Sequence, residues 1–225
     1  MRDYEEFPDS LSLNTLFYIG NPQVLTVETL KKLHDLNIAG KQFFSLERLI
    51  KGKENARVIF GPRELPANFP ELNLVELEDY LDNDNLVSVG DEKKVNVNQA
   101  LSWLIEPKNS KKTIVVTEGL RNLSVDPNQK VFIQAVLMPI EKQLFQTTLR
   151  VMVVDPDPIK RVELARNVDQ IIKAATGLNK RSFSSNKHED VFSEGRKFDS
   201  FKQRSLIPKE VAEFGLTADE VLSLV

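Results

Sequence analysis

The alternation of apolar and polar segments along the chain predicts strands and helices in turn. The apolar run TLFYIG at residues 15–20 ends in a glycine and an Asn-Pro turn dipeptide, which is typical of a buried strand. Residues 26–39 then predict an amphipathic helix, with Thr26 as its N-cap. The apolar positions of this helix are three residues apart: Val27, Leu30, Leu33 and Leu36.

The same patterning extends over the middle of the chain. Residues 41–50 fit either a strand or a short helix, and 56–61 predict a strand. Residues 96–106 predict a helix with Trp103 on its apolar face, and a longer helix is expected over roughly 128–146. Two more helices are expected near the end of the sequence, one over 158–175 and a short one from Thr217 onward.

Two apolar runs, at 113–122 and 150–159, each end in acidic residues. Nearly continuous apolar strands that alternate with helices are typical of a mostly parallel sheet covered on both faces, so the predicted fold is α/β, Rossmann-like or degenerate P-loop-like. Ligands of such sheets bind beyond the carboxyl ends of the strands. A ligand crevice lined by Glu118, Asp155 and Asp157 is therefore one hypothesis, and the surface ends of core strands are the other.

The amino-acid composition limits the kinds of functional site that the chain can contain. With 225 residues, 41% of them hydrophobic and 28% charged, the chain can bury a core. The absence of cysteine excludes disulfides and thiolate metal sites, and with only His34 and His188 we expect no metal site and no cofactor. The sequence shows no apolar run long enough to cross a membrane and no secretion signal, so we expect no membrane association and a cytoplasmic location. His34 is expected on a solvated helix surface.

Three regions are predicted: an arm at 1–14, an α/β core domain at 15–177 and a C-terminal extension at 178–225. The extension is poor in aliphatic residues but carries basic and phenylalanine side chains. Such side chains suit docking on a protein partner or a second copy, and they also suit phosphate contact and base stacking on nucleic acid. The candidate contact residues are Lys180, Arg181, Phe183, Phe192, Arg196, Lys197, Phe198, Phe201, Lys202 and Arg204.

Residues 96–172 resemble the second half of an AAA+ ATPase core. The resemblance rests on TIVVTEGLRN, on RVMVVDPDPI and on VELARNVDQI at 162–171, which is similar to the P-x-L-x-R-x-x-D stretch of that family. More narrowly, the segment resembles the inactive ATPase-like domain of some cyanobacterial and plastid AAA proteins. The chain has no G-x-x-x-x-G-K-[ST] loop, and Thr117 precedes Glu118 where the family has an Asp-Glu pair. The resemblance therefore implies a core without nucleotide hydrolysis.

These observations predict a non-catalytic module for protein interaction or assembly, built on an inactive ATPase-like domain. The first alternative is a nucleic-acid-associated accessory factor that uses the basic, phenylalanine-rich segment. The second is an unrecognised enzyme with Glu118 and Asp155 in a crevice. No catalytic residue is predicted.

Overall fold

The computed structural model describes residues 14–38, 42–79, 100–105, 123–175, 189–190, 204 and 215–224. The predicted N-terminal arm up to residue 13, the apolar run at 113–122 and most of the segment at 178–203 lie outside these ranges; Asn14, the last residue of the predicted arm, begins the first strand.

Nine strands and four α-helices occur in this part of the chain. The strands are β1 Asn14–Ile19, β2 Phe44–Lys51, β3 Glu54–Pro62, β4 Leu74–Leu77, β5 Ala100–Ile105, β6 Lys130–Ile140, β7 Leu144–Val154, β8 Glu189–Asp190 and β9 Gly215–Leu216. The α-helices are α1 Val27–Ile38, α2 Leu65–Asn68, α3 Pro158–Ala175 and α4 Ala218–Leu224, and short 3-10 turns cover Pro22–Val24, Pro70–Leu72 and Glu141–Gln143.

The strands form one sheet in the order β4-β1-β3-β2-β6-β7-β5-β8, and β9 pairs with the beginning of β7. Every pairing among the described strands is antiparallel. The predicted mostly parallel, Rossmann-like or P-loop-like sheet is therefore wrong, and the AAA+ resemblance fails with it. Short connections explain the difference: β2 and β3 are joined through Gly52 and Lys53, and β6 and β7 through three residues, whereas parallel neighbours need a crossover of a dozen residues or more.

The helix expected over 128–146 is instead the β6–β7 hairpin. Pro139 lies inside that segment, where it would remove a helical hydrogen bond and clash with the preceding turn. In the strand, Pro139 pairs with Phe145 close to the hairpin loop. The helix expected over 96–106 is likewise wrong, because Ala100–Ile105 is a strand paired with β7. Trp103 is buried in the core as predicted, at 5% exposure.

The strand and helices that were predicted from short stretches of neighbouring residues are present in the structure. β1 covers the first apolar run, and α3 spans Pro158–Ala175 as expected, with its proline in the first turn. The hydroxyl of Thr26 accepts a hydrogen bond from the Thr29 amide at 3.3 Å, so Thr26 caps α1. The end of the chain contains α4, close to the helix that was expected from Thr217.

Helices cover one face of the sheet. Leu30 and Leu33 of α1, Ala165 of α3 and Val221 of α4 pack against inward-facing strand residues in one continuous apolar core. The described parts of the predicted C-terminal extension thus belong to the same sheet and core, since β9 pairs with β7 and α4 packs beside them. The opposite face of the sheet carries a second apolar cluster, which includes Phe132 and Met152.

The predicted face of α1 was partly wrong. His34 is buried at 2% exposure and Leu36 is exposed at 48%, the reverse of the expectation. A helix has 3.6 residues per turn, so positions that are three residues apart drift around its axis. Leu36, the last of the predicted series, has therefore left the core-facing side. Leu30, Leu33 and His34, which are spaced i, i+3, i+4, remain on that side. The Nε2 atom of His34 donates to the carbonyl of Ile140 at 2.7 Å, and its ring meets Phe145 edge to face.

Candidate functional site

A row of polar side chains crosses the sheet face that is opposite the helices. Glu47 on β2 pairs with Gln134 on β6, and Gln134 pairs with Arg150 on β7. Side chains alternate along each strand, and directly paired residues share a face, so the three lie in line across the middle of the sheet. Each is at most 4% exposed. Buried charges at the centre of a sheet need partners, because charge is costly to remove from water.

Arg204 supplies the counter-charge from far along the sequence. Its Nε donates to Glu47 Oε1 at 2.6 Å, and its Nη1 and Nη2 donate to the two carboxylate oxygens of Asp79 at 2.6 and 3.1 Å. The guanidinium also lies over the ring of Phe60, 4.4 Å from its centroid. Ser45 donates to the same oxygen of Glu47 at 2.6 Å. We call Ser45, Glu47, Asp79, Gln134, Arg150 and Arg204 the Glu47 cluster.

The charges of the Glu47 cluster favour the ionised form of its arginines. Burial alone would lower the pKa of Arg204, but the Glu47 and Asp79 carboxylates outweigh it and raise that pKa above its ordinary value. Burial lowers the pKa of Arg150 to about 10, against the attraction of Glu47. Both guanidinium groups therefore stay protonated at neutral pH.

The geometry of the Glu47 cluster favours a structural role. Glu47 Oε1 accepts hydrogen bonds from Ser45, Gln134 (3.2 Å) and Arg204, so this oxygen is saturated by the chain's own donors. The other carboxylate oxygen, Oε2, is buried without a hydrogen-bond partner among the described residues. Arg204 joins the sheet centre to Asp79, which follows β4 by two residues. The cluster thus fixes the chain at residue 204 and the exit of β4 onto the sheet.

The predicted crevice is only partly within the described chain, because Glu118 lies outside it. Asp155 is buried at 3% exposure, and its two carboxylate oxygens accept from the Asp157 amide and from Gln129 Nε2, both at 2.7 Å. Asp157 accepts from the Ile159 amide at 2.8 Å and so caps α3. These contacts give both aspartates a local structural role at the β7–α3 junction.

An exposed apolar surface lies at the β4 edge of the sheet. Tyr18, Val75 and Leu77 are 39%, 51% and 37% exposed. Val75 is the direct partner of Tyr18, and Leu77 is the direct partner of Leu16, which belongs to the cluster on the face away from the helices. All three side chains therefore project from that face, and we call them the edge patch. The apolar–acidic–apolar alternation of Val75, Glu76 and Leu77 was the sequence signal for this surface, but only the pairing with β1 shows which face it occupies.

Of the ten predicted contact residues, the structure describes only Arg204. Its side chain is 1% exposed and bound within the Glu47 cluster. The other nine lie outside the described ranges, as does His188. In the ranges given above, no three metal-ligating side chains come together, and no helix there is long and apolar enough to span a membrane.

No family model and no curated protein match the sequence. Among solved structures, the chain is similar to Phl p 4, a grass pollen allergen with glucose dehydrogenase activity, with a TM-score of 0.38 and 11% identity over 79% of this chain and 44% of that one. It is also similar to a variant of berberine bridge enzyme, a reticuline dehydrogenase, with a TM-score of 0.36 and 18% identity over 81% of this chain and 46% of that one. The chain spans less than half the length of either structure. At these TM-scores and identities the likenesses establish neither a common fold nor a common activity.

Proposed function

We propose that the chain is a non-catalytic module for protein interaction or assembly, and that the edge patch is its contact surface. Three neighbouring large apolar side chains remain exposed at one end of a sheet whose interior is otherwise well buried. Single exposed apolar residues are ordinary on a protein surface, but adjacent ones that share a face are typical of contact sites. This adjacency is the observation that carries the proposal.

The polar groups near the sheet centre support a structural rather than a chemical role. The carboxylates of Glu47 and Asp79 bind Arg204, and that of Asp155 binds its own helix start. A module of this kind would place its partner at the β4 edge. Its protein partner or homo-oligomeric state, and its cytoplasmic location, are further parts of the proposal that come from the sequence.

The proposal is tested by comparing protein capture from the source cells by the wild type and by a Val75→Ser/Leu77→Ser variant. Serine removes most of the apolar area from two edge positions without altering charge. Ile159→Ser is the matched control, because Ile159 is 70% exposed on α3, away from this edge. We expect a stoichiometric partner that is captured by the wild type and the control and lost by the double variant. Capture that is equal for all three proteins would refute the edge patch as the contact surface.

A further inference from the structure

The outer edge of β4 is unpaired among the residues that the structure describes. β4 pairs with β1 on one side, and no strand within the described ranges pairs with its other side. The strand is also held at both ends: the Gly20 amide donates to the Asn73 carbonyl at 3.1 Å just before β4, and Arg204 binds Asp79 just after it. An edge strand fixed in this way is preorganised, so a second strand can pair with it at a low cost in conformational entropy.

The hydrogen-bond pattern shows which backbone groups face outward. In an antiparallel ladder, hydrogen-bonded pairs alternate with non-bonded pairs. The bond from the Gly20 amide to the Asn73 carbonyl sets the phase, so the Tyr18–Val75 and Leu16–Leu77 pairs are the hydrogen-bonded ones. The amide and carbonyl groups of Leu74 and Glu76 consequently point away from β1, toward an incoming strand.

The two faces of this edge differ in chemistry. The edge patch makes the face away from the helices apolar. Glu76 projects on the helix side, where its carboxylate lies 4.0 Å from the guanidinium of Arg63, with both side chains more than half exposed. Glu71 and Glu78, on either side of β4, are exposed as well. An ion pair that is so exposed contributes little, so the negative charge remains available to a partner.

We infer that β4 accepts an added β-strand from a basic protein partner, with apolar side chains against the edge patch and Lys or Arg against Glu76. This inference rests on the proposed function. Charge decides between occupants: two copies of β4 would bring their acidic residues alongside each other, whereas a basic strand neutralises them. Protection of the edge against aggregation also uses charge, but it does not account for the exposed apolar side chains of Val75 and Leu77 on the other face of β4.

The probe is a synthetic seven-residue peptide of alternating lysine and valine, blocked at both ends, with a glutamate–valine peptide as its control. We expect the lysine peptide to bind the full chain with one-to-one stoichiometry and the glutamate peptide to bind at least about tenfold more weakly, a factor that is well resolved by titration. Binding of the lysine peptide should weaken as salt rises, because exposed charges are screened. Equal affinity for the two peptides, or no binding of either, would overturn the inference.

Glu76→Pro isolates the backbone contribution. Proline removes the outward amide while leaving the β1–β4 ladder intact, and edge strands tolerate it on their open side. Glu76→Gln removes the same charge but keeps the amide, so it is the matched control. We expect Glu76→Pro to lose at least about tenfold more affinity for the lysine peptide than Glu76→Gln does. Equal losses would refute main-chain pairing.

Amide exchange keeps the inference testable if the proline variant does not fold. In the wild type, the peptide should slow exchange of the Leu74 and Glu76 amides while leaving that of Leu77, already bonded to β1, unchanged. Sedimentation of the chain alone tests whether a second copy occupies the β4 edge. If the wild type forms a dimer and Glu76→Pro does not, the inference of a basic protein partner is wrong. If partner capture depends on Val75 and Leu77 but not on Glu76→Pro, strand addition is wrong while the proposed function stands.

Discussion

Arg204→Ala tests whether the Glu47 cluster holds the sheet face together. The substitution leaves Glu47, 1% exposed, without the guanidinium that lies 2.6 Å from its Oε1. Removing one partner of a buried ion pair costs about 3–5 kcal/mol, because the remaining charge is buried without compensation. The Asp79 side chain is 25% exposed, so water screens its loss and it adds about 1 kcal/mol or less.

We therefore expect Arg204→Ala to lower the free energy of unfolding by about 3–5 kcal/mol, a large part of the roughly 5–15 kcal/mol that is typical of a native protein. Urea denaturation followed by circular dichroism measures the change. Arg166→Ala is the control, since Arg166 is exposed on α3 and such surface changes stay within about 0.5 kcal/mol.

A double-mutant cycle with Glu47→Gln identifies the cause. Glutamine keeps the shape of the side chain but carries no charge, so in the Arg204→Ala background it removes the carboxylate that has lost its hydrogen-bonded counter-charge. We expect the double variant to be more stable than the sum of the single effects predicts, with a coupling energy of about 1–3 kcal/mol. A coupling energy near zero, or an Arg204→Ala effect as small as that of Arg166→Ala, would refute the buried charge pair.

Three further predictions concern the fold. Val151→Asp places a charge at a fully buried position of β7, and we expect loss of soluble folded protein in an expression and circular dichroism test in which the exposed control Ile159→Asp stays folded. Thr26→Ala removes the N-cap of α1 and should lower the free energy of unfolding by about 1 kcal/mol, measured by urea denaturation against the exposed Lys31→Ala. Gly52→Ala strains the β2–β3 turn, where φ is 57°, and should lower the melting temperature; an unchanged or higher value would contradict that left-handed turn.

The helices that the sequence predicted correctly carry their signals locally. The Thr26 cap of α1, the first-turn Pro158 of α3 and the segment from Thr217 all act within one helical turn, so neighbouring residues suffice to mark them. The apolar run of β1 is equally local. The wrong prediction for His34 shows the limit of this approach. Positions three residues apart leave one face of a 3.6-residue helix within two turns, so the spacing alone did not identify the buried face.

The direction and the pairing partners of the strands depend on residues that are distant in sequence. The apolar runs at 113–122 and 150–159 were interpreted as parallel strands joined by a helix over 128–146. In the structure the hairpin loop at Glu141–Gln143 instead joins β6 and β7 as antiparallel neighbours within that segment. Pro139 was the signal against a helix there. Residues 41–50 remained ambiguous because a short, largely buried strand such as β2 has the same hydrophobic run as a buried helix segment.

The sequence by itself determined a chain that can bury a core and the capped helices, but it did not single out Glu47, Gln134 and Arg150. Only the tertiary structure placed those three in one row and brought Arg204 to them across 157 positions of sequence. It also decided that Val75 and Leu77 stay exposed beside Tyr18. The physical reason is that strand register and burial depend on contacts between distant segments, whereas caps and helical periodicity depend on residues within a turn or two.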